Sequence, residues 1–282
     1  MEKKLSKKYA AIIGLNPSKG ARSPKLWNKA FSFLNQKTKM ICIDIGSEEE
    51  VERTIKNLEE DSSFIGGCIA FPYKETIFKI LDFEMIDKVS QPIGAVNCLY
   101  RSNDNRLRAT NTDGFAALKS FLNLVKEKDV FPKSILIGGL GGAGKAVASY
   151  FSSHFLPKDT QVICSSRKNN SLFCKSINAN WIPWQDIEKE LLNFDTFVNC
   201  TTFGTGELIK KSPIRNLSNS NLKYIYDIVY DPSQTELLNL AEKNNISFTN
   251  GLEMNLLQAA RAFKLASNVS YSENKIVEMM SS

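Results

Sequence analysis

Histidine is almost missing from this sequence. The 282 residues contain one, His154, so no histidine pair or triad is available and acid–base chemistry has to come from other side chains. His154 falls where the first helix of a dinucleotide-binding unit should end, which suits a surface or capping role. Paired cysteine motifs are missing as well. Cys42, Cys68, Cys98, Cys164, Cys174 and Cys200 are scattered with no C-x-x-C spacing. Reduced, buried thiols fit that usage better than a disulfide framework or a zinc site, and no metal is expected. No apolar run is long enough to cross a bilayer. The charged start, Met1-Glu2-Lys3-Lys4-Leu5-Ser6-Lys7-Lys8, is not followed by an h-region and cleavage site, so the expected location is the cytoplasm. The charge imbalance is small, at +6, and part of it sits in those lysines, read as a solvated tail. With no nucleic-acid motif beside it, that excess favours small anionic ligands only weakly, and no nucleic-acid or membrane partner is expected.

What is present is a globular composition, 43% hydrophobic over a length that suits one large or two modest domains. One stretch organises the rest. Ser134-Ile135-Leu136-Ile137-Gly138 reads as a buried strand, and Lys145-Ala146-Val147-Ala148-Ser149-Tyr150-Phe151 as a helix. Between them, Gly139-Leu140-Gly141-Gly142-Ala143-Gly144 fits G-x-G-x-x-G in the strand–turn–helix setting that the motif needs. One glycine permits the turn, the next lets backbone N–H groups approach a pyrophosphate, and the third lets helix and strand pack closely. The helix N-terminus adds N–H groups and the positive dipole end.

Around this centre the chain alternates. Strands are expected at Tyr9–Gly14, 40–45 and 64–71. Ser23 is expected to cap a helix with Pro24 at its first position, Ser47 and Glu50 to form a capping box on a helix reaching Leu58, and a further helix to run from Lys74 to Ile80. This β-α-β-α-β order predicts a mostly parallel sheet. Residues 93–100 and 107–109 flank the turn Ser102-Asn103-Asp104-Asn105 and read as a hairpin-like insertion. Asn111-Thr112-Asp113-Gly114 opens a long helix to Val125. Strands follow at 161–165, 195–199 and 224–229, then a helix over 235–244. Leu252, Leu256, Ala259, Ala260 and Phe263 recur at helical spacing. The fold class is α/β, with two α/β domains and a ligand cleft between them.

The strand at 161–165 ends in Ser166-Arg167-Lys168, with no carboxylate. An acidic residue there would select the ribose 2′-hydroxyl of NAD, whereas an arginine accommodates the 2′-phosphate of NADP. Arg167 can stack on adenine or pair with that phosphate, and Ser166 can donate to it. The expected cofactor is NADP.

These blocks, in this order, resemble the shikimate dehydrogenase family over nearly the whole chain. Gly66 to Lys74 is similar to its G-x-N-V-T-x-P-x-K, Gly94-Ala95-Val96-Asn97-Cys98 to its G-A-V-N-T, and Asn111-Thr112-Asp113-Gly114 to its N-T-D-G. Gly139 to Ala146 resembles its G-A-G-G-A-x-R-A, Ser166-Arg167 its N-R-T, and Asn199 to Gly204 its N-A-T-S-x-G. Asp227 to Thr235 resembles its D-x-x-Y-x-P-x-x-T, and Gly251 to Ala259 its G-x-x-M-x-x-x-Q-A. The resemblance implies a substrate-binding and catalytic domain of residues 1–112 plus 251–282, with an NADP-binding Rossmann domain of residues 113–250 inserted. It implies Lys74 and Asp113 as the catalytic pair, and Ser23, Asn97, Tyr230 and Gln258 as substrate-binding residues. Gly139, Gly141, Gly142, Ser166, Arg167, Thr201, Gly251 and Met254 are implied on the cofactor side. The implied reaction is hydride transfer between NADP(H) and a ring hydroxyl or ketone of shikimate, 3-dehydroshikimate or a related cyclic hydroxy acid, in the route to chorismate and aromatic amino acids. A monomer or homodimer is expected. In such a reduction a lysine ammonium stabilises the developing alkoxide and gives it a proton, while an aspartate holds the ammonium in place.

The chain departs from the family on the substrate side. The family's S-x-S-P reads Ala21-Arg22-Ser23-Pro24 here, and Cys68 and Ala70 stand where the family has Asn and Thr. Polar atoms are thereby removed from one wall, at about 1–3 kcal/mol for each substrate group left unpaired. An inward Arg22 can replace a carboxylate contact; a solvent-facing one cannot. Three alternatives stay open: a less hydroxylated substrate, quinate dehydrogenase activity with NAD, and a non-catalytic NADP-binding sensor. Retention of Lys74, Asp113, Asn97 and Gln258 argues against the last of these, and Arg167-Lys168 against the second.

Overall fold

Tyr9–Gly14 forms β1, whose alternation shows how its part of the chain packs. Ala10 and Ile12 point to one apolar cluster, Ala11 and Ile13 to another. Opposite faces of a strand carry alternate residues, so β1 is buried on both sides and lies inside its sheet. The computed structural model describes residues 7–126, 130–153, 156–218 and 220–282. His154 and residues 1–6 of the lysine-rich start lie outside the described residues. The chain divides into two compact units, residues 1–112 with 256–282, and residues 113–255.

The first unit holds β1, β2 (Lys39–Asp44), β3 (Phe64–Ile69), β4 (Cys98–Arg101) and β5 (Leu107–Thr110) in the order β2-β1-β3-β4-β5. The first three are mutually parallel, and β4 and β5 run antiparallel at one side. The expected hairpin is therefore part of the sheet and not an insertion beside it. Helices α1 (Ser23–Phe33), α2 (Glu48–Glu60) and α3 (Lys74–Ile80) supply the crossovers. One face is closed by Trp27, Phe31 and Phe263, with ring centroids 4.8–6.2 Å apart. The other is closed by Val51, Ile55, Phe64, Tyr73 and Ile77.

Two caps differ from expectation. Ser23 is the first residue of α1, the capping position is Arg22, and no side chain caps that end. Ser47 does precede α2, but the Glu50 carboxylate accepts the Gly46 N–H at 3.0 Å and Ser47 does not bond the helix backbone. The acidic triplet Glu48, Glu49 and Glu50 instead faces the positive end of the helix dipole.

The second unit is a six-stranded, all-parallel sheet: β6 (Ser134–Gly138), β7 (Gln161–Ser166), β8 (Asn180–Pro183), β9 (Thr196–Asn199), β10 (Tyr224–Asp227) and β11 (Ser247–Thr249). Its order is β11-β10-β9-β6-β7-β8. The direction of winding reverses between β6 and β9, which is the switch point where open α/β sheets bind ligands beyond their strand C-termini. Helices α4 (Asp113–Lys126), α5 (Gly142–Phe151), α6 (Ser171–Ser176), α7 (Ile187–Glu190) and α8 (Glu236–Lys243) connect the strands. Phe121 packs on Phe151, Tyr224 and Tyr226 between helix and sheet. Helix α9 (Leu252–Ser267) contributes its first residues to this unit, where Glu253 accepts from Asn123 at 2.7 Å, and its remainder to the first unit. Helix α10 (Glu273–Ser281) is capped by Ser272.

Candidate active site

The glycine turn can be read residue by residue. Gly139 follows β6 with φ +96°, and a Cβ there would lie 2.9 Å from the Cys200 backbone and the Thr201 methyl. A Cβ on Gly144 would lie 2.0 Å from the Gly139 carbonyl oxygen, so helix and turn touch only because residue 144 is glycine. A Cβ on Gly141 would meet nothing within 4 Å. The turn is thus tight on its inner side and open at Gly141, where α5 begins and no side chain caps the helix. That open cradle of N-terminal N–H groups at the switch point fits the pyrophosphate of a dinucleotide.

Beside it, Cys200 donates its backbone N–H to Gly138 at 2.7 Å, and Gly139 donates to Ser165 at 2.8 Å, tying β9, β6 and β7 together. The loop after β9 is fixed by Asn199, whose Oδ1 accepts from the Thr201 N–H at 3.0 Å and the Thr201 hydroxyl at 2.7 Å. Thr201 in turn accepts the Phe203 N–H at 3.1 Å. The Thr201 hydroxyl therefore shapes the loop, and its methyl lies against the glycine turn. Asn199 also donates to Asp227 Oδ1 at 2.9 Å, and Asp227 Oδ2 accepts from Thr235, the cap of α8. Burial pushes the Asp227 carboxyl up to about 6, against the pull of its hydrogen bonds from Thr235, Val229 and Asn199. Burial also pushes the Cys200 thiol well up, helped by the carboxylates of Asp227 and Asp113.

Arg167 and Lys168 are exposed at the end of β7. Ser166, buried at that strand end, is engaged within the loop. Its hydroxyl donates to the Lys168 carbonyl at 2.7 Å and accepts from Asn170 at 3.0 Å and from the Trp181 indole N–H at 2.9 Å. One donor and two acceptor positions are all that a hydroxyl has, so Ser166 holds the loop that carries the two cations. Gly251 packs against Ile228, whose carbonyl oxygen would lie 1.9 Å from a Cβ there, and Met254 is buried in the first turn of α9. Tyr230 is half-buried just after β10.

In the first unit the predicted residues converge through Asn97. Its Oδ1 accepts the Thr112 backbone N–H at 2.7 Å, and its Nδ2 donates to Thr112 Oγ1 at 3.0 Å and to Gln258 Oε1 at 3.4 Å. The Thr112 hydroxyl also reaches the Gln258 carbonyl at 3.3 Å. Asn97, Thr112 and Gln258 are all buried. Lys74 opens α3, and its carbonyl accepts the Val96 N–H at 3.0 Å, which ties the lysine's backbone to the segment that carries Asn97. The preceding Tyr73 anchors that corner with a 2.9 Å bond to the Ile45 carbonyl. The Asn111 side-chain amide donates to the Ala95 carbonyl at 2.9 Å, and its backbone N–H donates to the Ser90 hydroxyl at 2.7 Å. Ser23 is buried at the start of α1. Asp113, the residue after Thr112, is buried at the start of α4.

Thr112, Trp181 and the Asn199–Asp227–Thr235 chain were not singled out from the sequence. Their signal was present only as members of motifs, or, for Trp181, as an aromatic on a four-residue strand. Among the described residues, no group of three or more His, Cys, Asp and Glu side chains could hold a metal ion. No described helix is long and apolar enough to cross a membrane.

A family model described as the shikimate dehydrogenase substrate binding domain matches residues 12–99. A shikimate dehydrogenase (NADP(+)) of Streptococcus mutans is 33% identical over 271 residues, which cover 92% of this chain and 90% of that protein. Its counterpart in Alkaliphilus metalliredigens is 30% identical over 281 residues, 94% of each chain. A crystal structure of shikimate dehydrogenase in complex with NADP+ matches with a TM-score of 0.80 at 27% identity, over 97% of this chain and 94% of that one. A doubly wound six-stranded sheet with an open glycine turn at its switch point, and relatives of this identity along nearly the full length, place the chain in the shikimate dehydrogenase family.

Proposed function

We propose that this protein is an NADP-dependent oxidoreductase that interconverts 3-dehydroshikimate and shikimate, on the route to chorismate and the aromatic amino acids. The observation that carries the reading is the open, uncapped glycine turn followed one strand later by exposed Arg167 and Lys168, with no carboxylate at that strand end. Gly139, Gly141 and Gly142 would hold the pyrophosphate, Arg167 the 2′-phosphate, and Thr201, Gly251 and Met254 the walls on either side. When bound, NADP(H) supplies or takes up the hydride. Lys74 and Asp113 are the proposed catalytic pair. Lys74 holds a proton at Nζ, gives it to the substrate oxygen as negative charge develops there, and takes it back in the reverse direction. Asp113 keeps that ammonium oriented. Asn97 and Gln258, already fixed by each other and by Thr112, present amide groups to ring hydroxyls, with Ser23 and Tyr230 at the carboxylate. The expected setting is cytoplasmic, with a small cyclic hydroxy acid as partner and a monomer or homodimer as the working species.

The test is steady-state oxidation of shikimate with NADP and with NAD. Lys74→Ala should lower kcat by about 100-fold to 10,000-fold, the range for losing a positioned general acid. Full turnover by that variant would remove Lys74 from the mechanism, and equal use of NAD would remove the cofactor assignment.

A second reading has its own observation. Ala21 and Ala70 pack against the apolar cluster that includes Cys68, Trp27 and Phe31. That wall offers methyl and thiol groups in place of two hydroxyls and an amide, and it suits a ring carboxylate with fewer hydroxyls than shikimate. A panel of hydroxylated ring carboxylates separates the two. A kcat/KM for shikimate above that of every less hydroxylated analogue would exclude the second reading. NADPH binding without turnover of any of them would point to a sensor.

A further inference from the structure

Cys68 on β3 and Cys98 on β4 lie directly opposite each other in the antiparallel ladder of the first unit. The next rung is Ile69 opposite Asn97, where the Ile69 N–H donates to the Asn97 carbonyl at 2.8 Å. Hydrogen-bonded and non-hydrogen-bonded rungs alternate along an antiparallel pair, so the Cys68/Cys98 rung is of the non-hydrogen-bonded kind. Such rungs bring Cα atoms to about 4.5 Å with side chains on one face, and disulfides span Cα separations of about 4.4–6.8 Å. Both thiols do share a face, since Cys68 and Cys98 belong to the same apolar cluster. Cys42 lies in the same row, but Ile12 of β1 stands between it and Cys68. Two strand spacings, about 9.5 Å, keep Cys42 out of reach.

We propose that Cys68 and Cys98 are a cross-strand dithiol that a peroxide closes to a disulfide inside the sheet, and that this closure slows the enzyme reversibly. Cys68 keeps 4% of its surface exposed and Cys98 none, so Cys68 is the thiol that meets the oxidant. The Cys68 sulfur attacks one peroxide oxygen, the O–O bond breaks, and the products are a sulfenic acid on Cys68 and one water. The Cys98 sulfur then attacks the Cys68 sulfur, the S–O bond breaks, and a second water leaves with the remaining thiol proton. The two sulfurs together lose two electrons, and the peroxide gains them. The new bond fixes β3 to β4 one residue from Asn97, whose side chain is held by Thr112 and Gln258. The effect on rate rests on the proposed activity; the disulfide itself does not.

The experiment treats reduced, folded protein with a small excess of hydrogen peroxide, then alkylates free thiols under denaturing conditions and maps peptides without reduction. Loss of two of the six alkylatable thiols, a peptide pair linking Cys68 to Cys98, and a fall in shikimate oxidation restored by dithiothreitol are expected. Cys98→Ser should form no link and leave a Cys68 sulfenic acid that dimedone traps. Cys98→Ala serves the same purpose should the serine disturb the fold. All six thiols still alkylatable in peroxide-treated protein, or a link confined to other cysteines, would overturn the proposal. So would a Cys68–Cys98 link that leaves measurable turnover unchanged. A mapped link in a protein that oxidises no ring substrate would sustain the dithiol and sink the activity assignment instead.

Discussion

Thr235 donates its hydroxyl proton to Asp227 Oδ2 at 2.7 Å and accepts the Leu238 N–H at 3.3 Å, so one side chain both caps α8 and holds a buried carboxylate. Asp227 is fully buried and its carboxyl is pushed up to about 6. Its unfolded value is about 3.9, so the folded protein binds this proton more tightly than the unfolded chain does. The stabilisation that follows is complete below about pH 4 and is lost as pH rises through about 6. The difference between the two values amounts to about 3 kcal/mol. Wild type should therefore gain about 2–3 kcal/mol over Asp227→Asn between about pH 7 and pH 4, read from urea unfolding at each pH. A difference between the two proteins that stays constant with pH would show that Asp227 does not titrate in that window.

Asn97 supplies the second prediction. Its amide oxygen accepts the buried Thr112 N–H, so Asn97→Ala leaves a backbone donor without its acceptor. The expected loss is about 1–3 kcal/mol of stability, whereas Thr112→Val, which keeps that bond and removes only the hydroxyl, should lose about 0.5–1.5 kcal/mol. Chemical denaturation of the two variants tests the order. Equal losses would mean that the hydroxyl and not the N–H is the group that matters.

The parts of this structure that were legible in the sequence are those set by neighbours along the chain. Tyr9–Gly14 and Lys74–Ile80 fall where periodicity and Pro72 put them. The glycine turn is legible because each of its demands, a positive φ at Gly139 and a close approach at Gly144, is met only by glycine. The strands Asn180–Pro183 and Ser247–Thr249 were missed, since each is too short to show alternation and neither is buried along its length. Ser23 and Ser47 were read as caps from residue type alone, but capping also needs the hydroxyl to reach the second or third N–H, and neither does. Partnerships across long separations leave no local trace. Asn199 and Asp227 are 28 positions apart and Ser166 and Trp181 are 15 apart, and only the sheet order makes them neighbours.

Trp181 leads to the third prediction. Its indole N–H holds the Ser166 hydroxyl, which holds the Lys168 carbonyl, on either side of exposed Arg167. Trp181→Phe keeps a ring and removes that donor, and Ser166→Ala removes the whole junction. Both should loosen the loop without touching the reacting groups. NADP preference over NAD, measured as the ratio of kcat/KM values, should fall by about tenfold, equivalent to about 1.4 kcal/mol, with kcat for saturating NADP unchanged. Arg167→Ala should fall at least as far. A ratio unchanged in Trp181→Phe would mean that the cations are placed by something other than this chain of bonds.

Arg101 closes the C-terminal end of α2 from β4. Its Nη2 donates to the carbonyls of Leu58 and Glu59 at 2.8 Å and of Asp61 at 3.0 Å, its Nε to Phe64 at 3.0 Å, and its Nη1 to Asn105 at 3.0 Å. These include carbonyls that a helix end leaves without intrahelical donors, and the guanidinium adds a positive charge at the negative end of the dipole. The two contributions can be separated. Arg101→Lys keeps the charge, worth about 0.3–1 kcal/mol there, but an ammonium on a flexible stem cannot span carbonyls of the helix, the strand β3 and the turn at once. Arg101→Met removes both. The methionine variant should lose about 2–4 kcal/mol, and lysine should recover only the charge share of it. Thermal unfolding of the three proteins at low and high salt is the check, because the charge share is screened and the fork is not. Full recovery by lysine would assign the whole effect to the dipole and leave the fork geometry without a role in stability.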